Sequence, residues 1–318
     1  MKVSVIIPVY NAEKTVGRCL DSIIQQTSSE WEVIAINDGS KDNSEKILRE
    51  YEEKEHERIR VFTQNNSGVT KTRERGIREA KGQYIMFVDN DDYLEPDYID
   101  VFLSEIEKGD YDVVVGGYRR VDDRKKILFQ YTPVTNWMQY SILTPWARII
   151  KKEILVKNDI HFFDYKMGED IYFNMRLFYI TKKVKRINYI GYNWYYNESS
   201  VSNTTHKGFQ KVYDPRVVLD KVDEAIEHSR ERLYQLWYVK WVVWYLCFSG
   251  RGATSQSFME EERKLFDWLK EKEINCYFPL FSTDVKGEPL RNKLIIVIFL
   301  MLKKFHLLKL FSRIYCQG

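Results

Sequence analysis

Along the first 120 residues, short unbroken apolar runs alternate with segments whose apolar positions recur every three or four residues. Val3–Val9 reads as a buried strand, and Val16, Cys19, Leu20, Ile23 and Ile24 form one apolar stripe of a helix over Glu13–Gln26. A second strand, Trp31–Ile36, runs into the turn Asn37-Asp38-Gly39-Ser40 and a helix started by Asp42 or Ser44. A third, Arg58–Thr63, is followed by Gln64–Gly68 and a helix over Val69–Ala80. Its sheet-facing stripe is Val69, Gly76, Ile77 and Ala80, with Arg73 inside it. The run from Tyr84 to Val88 makes a fourth strand, with Pro96 as the first residue of the next helix, and Tyr111–Val115 a fifth. Strands alternating with helices predict an α/β fold, its sheet mostly parallel and covered on both faces. Beyond residue 207 the period is helical throughout. One long helix over Arg216–Phe248 is expected, ended by Gly250-Arg251-Gly252, and then an amphipathic helix over Glu260–Lys272. The expected division is a catalytic domain over 1–206 and a helical subdomain over 207–318.

The polar clusters Tyr10-Asn11, Asn37-Asp38 and Asp89-Asn90-Asp91-Asp92 each follow an apolar strand directly. Parallel strands bring all three to one sheet edge, where open α/β sheets bind ligands. Three carboxylates within four positions repel one another and call for a cation. They are hard oxygen ligands, suited to Mg²⁺ or Mn²⁺. No GxxxxGK[ST] is present, and no GxGxxG follows the first strand, so a nucleotide diphosphate held through a metal is the expected ligand. Arg73, on the buried side of its helix, needs an anion, either a nearby acid or the nucleotide.

Composition narrows the class. A hydrophobic share of 44% and a charged share of 30% describe a folded globular chain, and a net charge of +3 gives no ground for a nucleic-acid partner. Cys19, Cys247, Cys276 and Cys316 show no CxxC spacing, which disfavours zinc and fits a reducing, cytoplasmic location. Met1–Pro8 has no cleavage pattern behind it and reads as a strand, not a signal peptide. The last thirty residues hold six Lys or Arg and no Asp or Glu around Leu294–Leu302. Nine apolar residues cannot span a bilayer, which needs about 20. Segment 291–315 is either a basic amphipathic contact with the inner face of the cell membrane or a helix packed on the protein.

In order, Val5–Asn11, Asn37–Ser40, Asn66–Gly68, Arg73–Ile77 and Val88–Asp92 resemble the landmarks of family 2 glycosyltransferases with the GT-A fold, over about residues 1–200. The resemblance implies an inverting transferase that uses a UDP-sugar with Mn²⁺ or Mg²⁺ and moves a hexose to a glycan acceptor, lipid-linked or protein-linked. Asp38 would recognise the base and Asp89 the ribose side, with Pro8 and Tyr10 as the floor beneath the base. Asn11, Asn66, Gly68, Arg73 and Asn90 would complete the nucleotide-sugar site. Asp91 would hold the metal and Asp92 would line the sugar site. Met167–Ile171 resembles the family's Glu-Asp motif, making Asp170 the candidate base and Glu169 a positioning group. Pro145–Lys152 resembles the segment against the sugar, with Trp146 packing there and Arg148 steadying the diphosphate. The loop after Gly191 departs from the family where Asn197 stands, so His206 is the stand-in third metal ligand. Glu74 also departs, standing where an asparagine is usual.

The residues by themselves also admit plainer roles. First-turn acids cap helices, Arg73 can be a structural ion pair and Trp146 a core residue. A nucleotidyltransferase or a non-catalytic sugar-nucleotide-binding module would share much of the pattern.

Overall fold

The computed structural model describes residues 1–141, 143–165, 167–196, 208–209 and 213–317. The chain divides into two compact units, Met1–Val134 with Ile142–Asn197, and Thr135–Ser141 with Glu198–Gly318.

The first unit begins with β1 (Val3–Val9), α1 (Val16–Ile24), β2 (Trp31–Asn37), α2 (Ser44–Lys54), β3 (Ile59–Thr63), α3 (Val69–Glu79) and β4 (Tyr84–Phe87). β5 (Tyr93–Leu94), α4 (Tyr98–Glu107), β6 (Val113–Val121) and β7 (Ile127–Tyr131) follow. After α5 (Asn136–Gln139), which belongs to the second unit, come β8 (Arg148–Lys151), α6 (Lys152–Lys157), α7 (Glu169–Ile180) and β9 (Val184–Tyr195). The strand order is β3-β2-β1-β4-β8-β6-β9-β5, with β7 paired to β6. β1 to β4 are parallel, β8 opposes both its neighbours, and β9 runs parallel to β6. The sheet is therefore mixed.

All seven residues of β1 and of β2 are buried, as continuous apolar strands covered on both faces require. Register places Val9 beside Asn37 and Ile6 beside Phe87, so the segments after β1, β2 and β4 leave the sheet at one edge. α3 lies close on β1. A Cβ on Gly76 would come 2.3 Å from Ile6 Cγ2, so only glycine allows this approach.

Several expectations change. Val69 is 39% exposed; the buried face of α3 is Thr70, Thr72, Arg73, Gly76 and Ile77. Pro96 precedes α4, whose N-cap is Asp97, because the chain first adds β5 to the sheet beside β9. The fifth predicted strand extends to Val121 through a register shift.

The second unit contains α8 (Pro215–Ala225), α9 (Arg232–Gly250), α10 (Ser255–Glu271), α11 (Leu290–Lys304) and α12 (Leu308–Tyr315). The single long helix expected over Arg216–Phe248 is thus two. Glu227 and His228 adopt positive φ of 51° and 56°, where the buried Asp223 carboxylate accepts from His228 Nδ1 at 2.7 Å and Arg230 Nη1 at 2.7 Å. That side-chain capture turns the chain out of the helix. Segment 291–315 forms α11 and α12, joined at His306 with φ 59°. Ile296, Phe299 and Leu308 are buried within the unit, while Leu294, Ile298 and Met301 stay exposed. No helix among the described residues is long and apolar enough to cross a membrane.

Candidate active site

The sheet edge is built by loops that hold one another. Asp38, at the end of β2, accepts hydrogen bonds from Gln64 Nε2 at 2.8 Å, Ser67 N at 2.9 Å and Gly68 N at 2.9 Å. One buried carboxylate thus fixes the loop containing Asn66, and Gly68 starts α3 at φ 90°. Asn11, in the left-handed region at φ 48°, accepts from Lys41 N at 2.8 Å and so ties the β1 loop to the β2 loop. Asn90 Nδ2 donates to the carbonyl of the buried Pro8 at 2.8 Å, joining β4 to β1. Tyr10 is 48% exposed at this edge.

At the centre lies Arg73, 4% exposed. Its Nη2 donates to Asp89 Oδ1 at 3.0 Å and its Nη1 to Asp170 Oδ1 at 2.6 Å, while Glu169 Oε1 is 3.9 Å away. Arg73 thereby reaches across 97 positions of sequence to Asp170. Burial works against the Arg73 charge, but Asp170, Asp89 and Glu169 outweigh it and raise its pKa. Gly168, left-handed at φ 79°, lets the chain turn into α7 so that Glu169 and Asp170 occupy its first turn. Burial drives Asp170 up to about 8; Arg73 pulls it down, and Glu169 and Asp89 push it up further. Burial likewise raises Glu169, against Arg73. Among the described residues, no hydrogen bond is made to Asp170 Oδ2. That oxygen is free to accept a proton.

Asp91 is pushed up to about 6 by burial and by Asp89. A hard carboxylate held near other acids, with its charge disfavoured, fits a divalent cation, which would relieve both penalties. Among the described residues no three His, Cys, Asp or Glu side chains group as a metal cluster, and His206 lies outside those residues.

Three predicted site residues make contacts inside the protein. Asp92, expected at the sugar site, is fully buried, accepts from Tyr192 Oη at 2.6 Å and from Tyr195 N at 2.9 Å, and so anchors β9 to the end of β4. Its pKa is raised well above the ordinary range by burial and by Asp91 and Asp89. Trp146 is 4% exposed and stacks on Tyr192 with ring centroids 4.5 Å apart, as a core residue. Arg148 is fully buried and donates to Asn174 Oδ1 and to the Trp146 carbonyl.

Two further residues support the site, of which only Arg18 is not anticipated from sequence. Arg18 donates to the Asp91 carbonyl at 2.6 Å and lies 3.9 Å over the Tyr195 ring, fixing the backbone that presents Asp91. It is the lone cation of α1, a weak signal visible only in retrospect. Glu74 accepts from Phe162 N at 3.2 Å, which gives this departure from the family pattern a structural role.

Residues 4–168 match the family described as glycosyl transferase family 2. The glycosyltransferase GlyA of Streptococcus pneumoniae is 30% identical over 234 residues, 67% of this chain and 33% of GlyA, so the match spans about a third of that relative. The glycosyltransferase EpsJ of Bacillus subtilis is 30% identical over 240 residues, 68% of each chain. Among solved structures, S. aureus TarS 1–349 in complex with UDP-GlcNAc superposes with a TM-score of 0.58 at 19% identity, covering 91% of this chain and 98% of that one.

Proposed function

Because the chain belongs to glycosyl transferase family 2, we propose that it moves a hexose from a UDP-sugar to a hydroxyl of a glycan acceptor, by a single displacement that inverts the anomeric carbon. The protein is a glycosyltransferase with the GT-A fold. The observation that carries the finer reading is the Arg73 bridge, which sets the Asp170 carboxylate beside the loop presenting Asp89 and Asp91. The TarS complex with UDP-GlcNAc supports a UDP donor on this fold. In this reading 1–206 is the catalytic part, and 207–318 is a helical part whose segment 291–315 meets a membrane surface.

Asp170 Oδ2 takes the proton of the acceptor hydroxyl as its oxygen bonds to C1. The bond from C1 to the diphosphate oxygen breaks, and its electron pair leaves with UDP. Arg73 keeps Asp170 oriented and favours its ionised form. Asp38 and the loop it holds, with Asn11, Asn66 and Tyr10, shape the base side of the site. Asp91 would hold Mn²⁺ or Mg²⁺, which when bound neutralises charge on the leaving diphosphate.

Incubation with a panel of UDP-sugars and Mn²⁺ tests the reading. UDP release that EDTA and Asp91→Ala both suppress is the expected result. Absence of both UDP binding and UDP release with every donor in the panel would refute it.

A further inference from the structure

We infer that α11 carries a second apolar face, which lies in the interface of an anionic lipid bilayer, parallel to its plane, with Phe281 beside it as an aromatic anchor. The inference rests on the surface contact proposed for 291–315 and deepens it, naming the residues that enter the bilayer and the lipid charge they require. Ile296 and Phe299 of α11 face the unit, where the Phe299 ring lies 6.2 Å from that of Phe266 and 6.4 Å from that of Phe258. On the other side Leu294, Ile298 and Met301 recur at helical spacing, a stripe that continues onto Phe305, and each of the four is between 41% and 65% exposed. A helix apolar all round belongs in surroundings that are apolar all round. The unit supplies them on one side. α12 repeats the arrangement, with Leu308 and Ser312 buried and Leu310 and Ile314 57% and 79% exposed.

Charge names the partner. From residue 289 to the end the only charged side chains are six Lys or Arg. Lys303 is taken by Glu262, and Lys293 donates to the Leu280 carbonyl at 3.1 Å. The side chains of Arg291, Lys304, Lys309 and Arg313 make no ion pair or hydrogen bond among the described residues. Apolar side chains flanked by unpaired cations favour an anionic bilayer surface over a zwitterionic one, and the long stems let the charged heads stay with the lipid phosphates. Phe281 is 89% exposed, the most open large apolar side chain among the described residues. It borders α11, since Phe281 and Val297 line one small cavity. At 15 residues α11 is too short to cross the hydrocarbon, which needs about 20, so the helix lies along the surface.

Co-sedimentation of the full chain with vesicles tests the inference. The wild type should pellet with vesicles of phosphatidylcholine and phosphatidylglycerol but not with phosphatidylcholine alone. Lys304→Gln should weaken that partition by about fivefold, the worth of one cation near the surface. Ile298→Glu, which puts a carboxylate in the middle of the stripe, should weaken it by about tenfold or more. Phe281→Ser should weaken it as well. The replaced side chains of Ile298 and Phe281 are exposed, and circular dichroism checks that the variants keep the fold. Binding to anionic vesicles that is unchanged in Ile298→Glu overturns the inference while leaving a surface contact elsewhere on the chain intact. Equal pelleting with both kinds of vesicle overturns the role of lipid charge, and pelleting with neither overturns the surface contact altogether. A wild type that is dimeric by light scattering and monomeric as Ile298→Glu identifies a second copy of the chain as the occupant and overturns the inference too. UDP release measured on the same samples reports separately on sugar transfer.

Discussion

Replacing Arg73 by methionine keeps an apolar stem of similar length but deletes the guanidinium between Asp89 and Asp170. Removing one partner of a buried ion pair costs about 3–5 kcal/mol, because the other charge is left uncompensated. Here the side chains of Asp89 and Asp170 keep 31% and 25% of their exposure, so water relieves part of that cost. The lower end, about 3 kcal/mol, is expected. The loss depends on pH with a definite sign. Asp170 is raised to about 8 in the folded chain, so between the ordinary carboxyl range and that value the folded state holds a proton the unfolded chain has released. Its contribution to stability therefore falls as pH rises through this window. Without Arg73 the carboxyl rises further, so the gap between wild type and variant widens from pH 6 to pH 9. Urea denaturation at both pH values measures it. A gap below about 1 kcal/mol at pH 9, well under the range for a broken buried pair, or the same gap at both pH values, would refute the account of Arg73 as a charge bridge.

Other outcomes follow from the same geometry. If Asp170 must be ionised to accept a proton, kcat/KM falls as pH drops below about 8, the value to which burial carries it; a flat profile from pH 6 to 9 argues for a different base. Asp92→Asn weakens the acceptor for Tyr192 and Tyr195, and should lower stability by about 1–3 kcal/mol in urea melts. Donor specificity stays unchanged in that variant, because the side chain faces the interior. Gly76→Ala forces a methyl against Ile6 and should cost about 1–3 kcal/mol in thermal melts, with UDP affinity following only as far as α3 shifts.

Much of the first unit was legible because buried parallel strands are written as unbroken apolar runs, and the polar clusters stop them at one edge. The reading lost accuracy where neighbouring residues face opposite ways. Asp91 and Asp92 are adjacent and chemically alike, yet only the pairing of β5 with β9 brings Tyr192 and Tyr195 onto Asp92 and makes it structural. Trp146 and Arg148 show the same limit, since a motif's spacing does not say that Trp146 stacks on Tyr192 or that Arg148 donates to Asn174. The break between α8 and α9 was invisible to periodicity. It is made by Asp223 capturing His228 and Arg230, a contact between side chains and not a change in hydrophobic period. Arg73 was readable only as a need, a cation on a buried face. Its two partners became known once α7 was placed.

The most direct test of the central claim is Asp170→Asn assayed with the donor and acceptor that the wild type uses, alongside UDP titration by calorimetry. Folded variant with UDP affinity near wild type and turnover reduced by about 10²–10⁴, the scale of a lost general base, is the predicted result. Turnover at the wild-type rate would contradict it and place the proton acceptor elsewhere in the crevice.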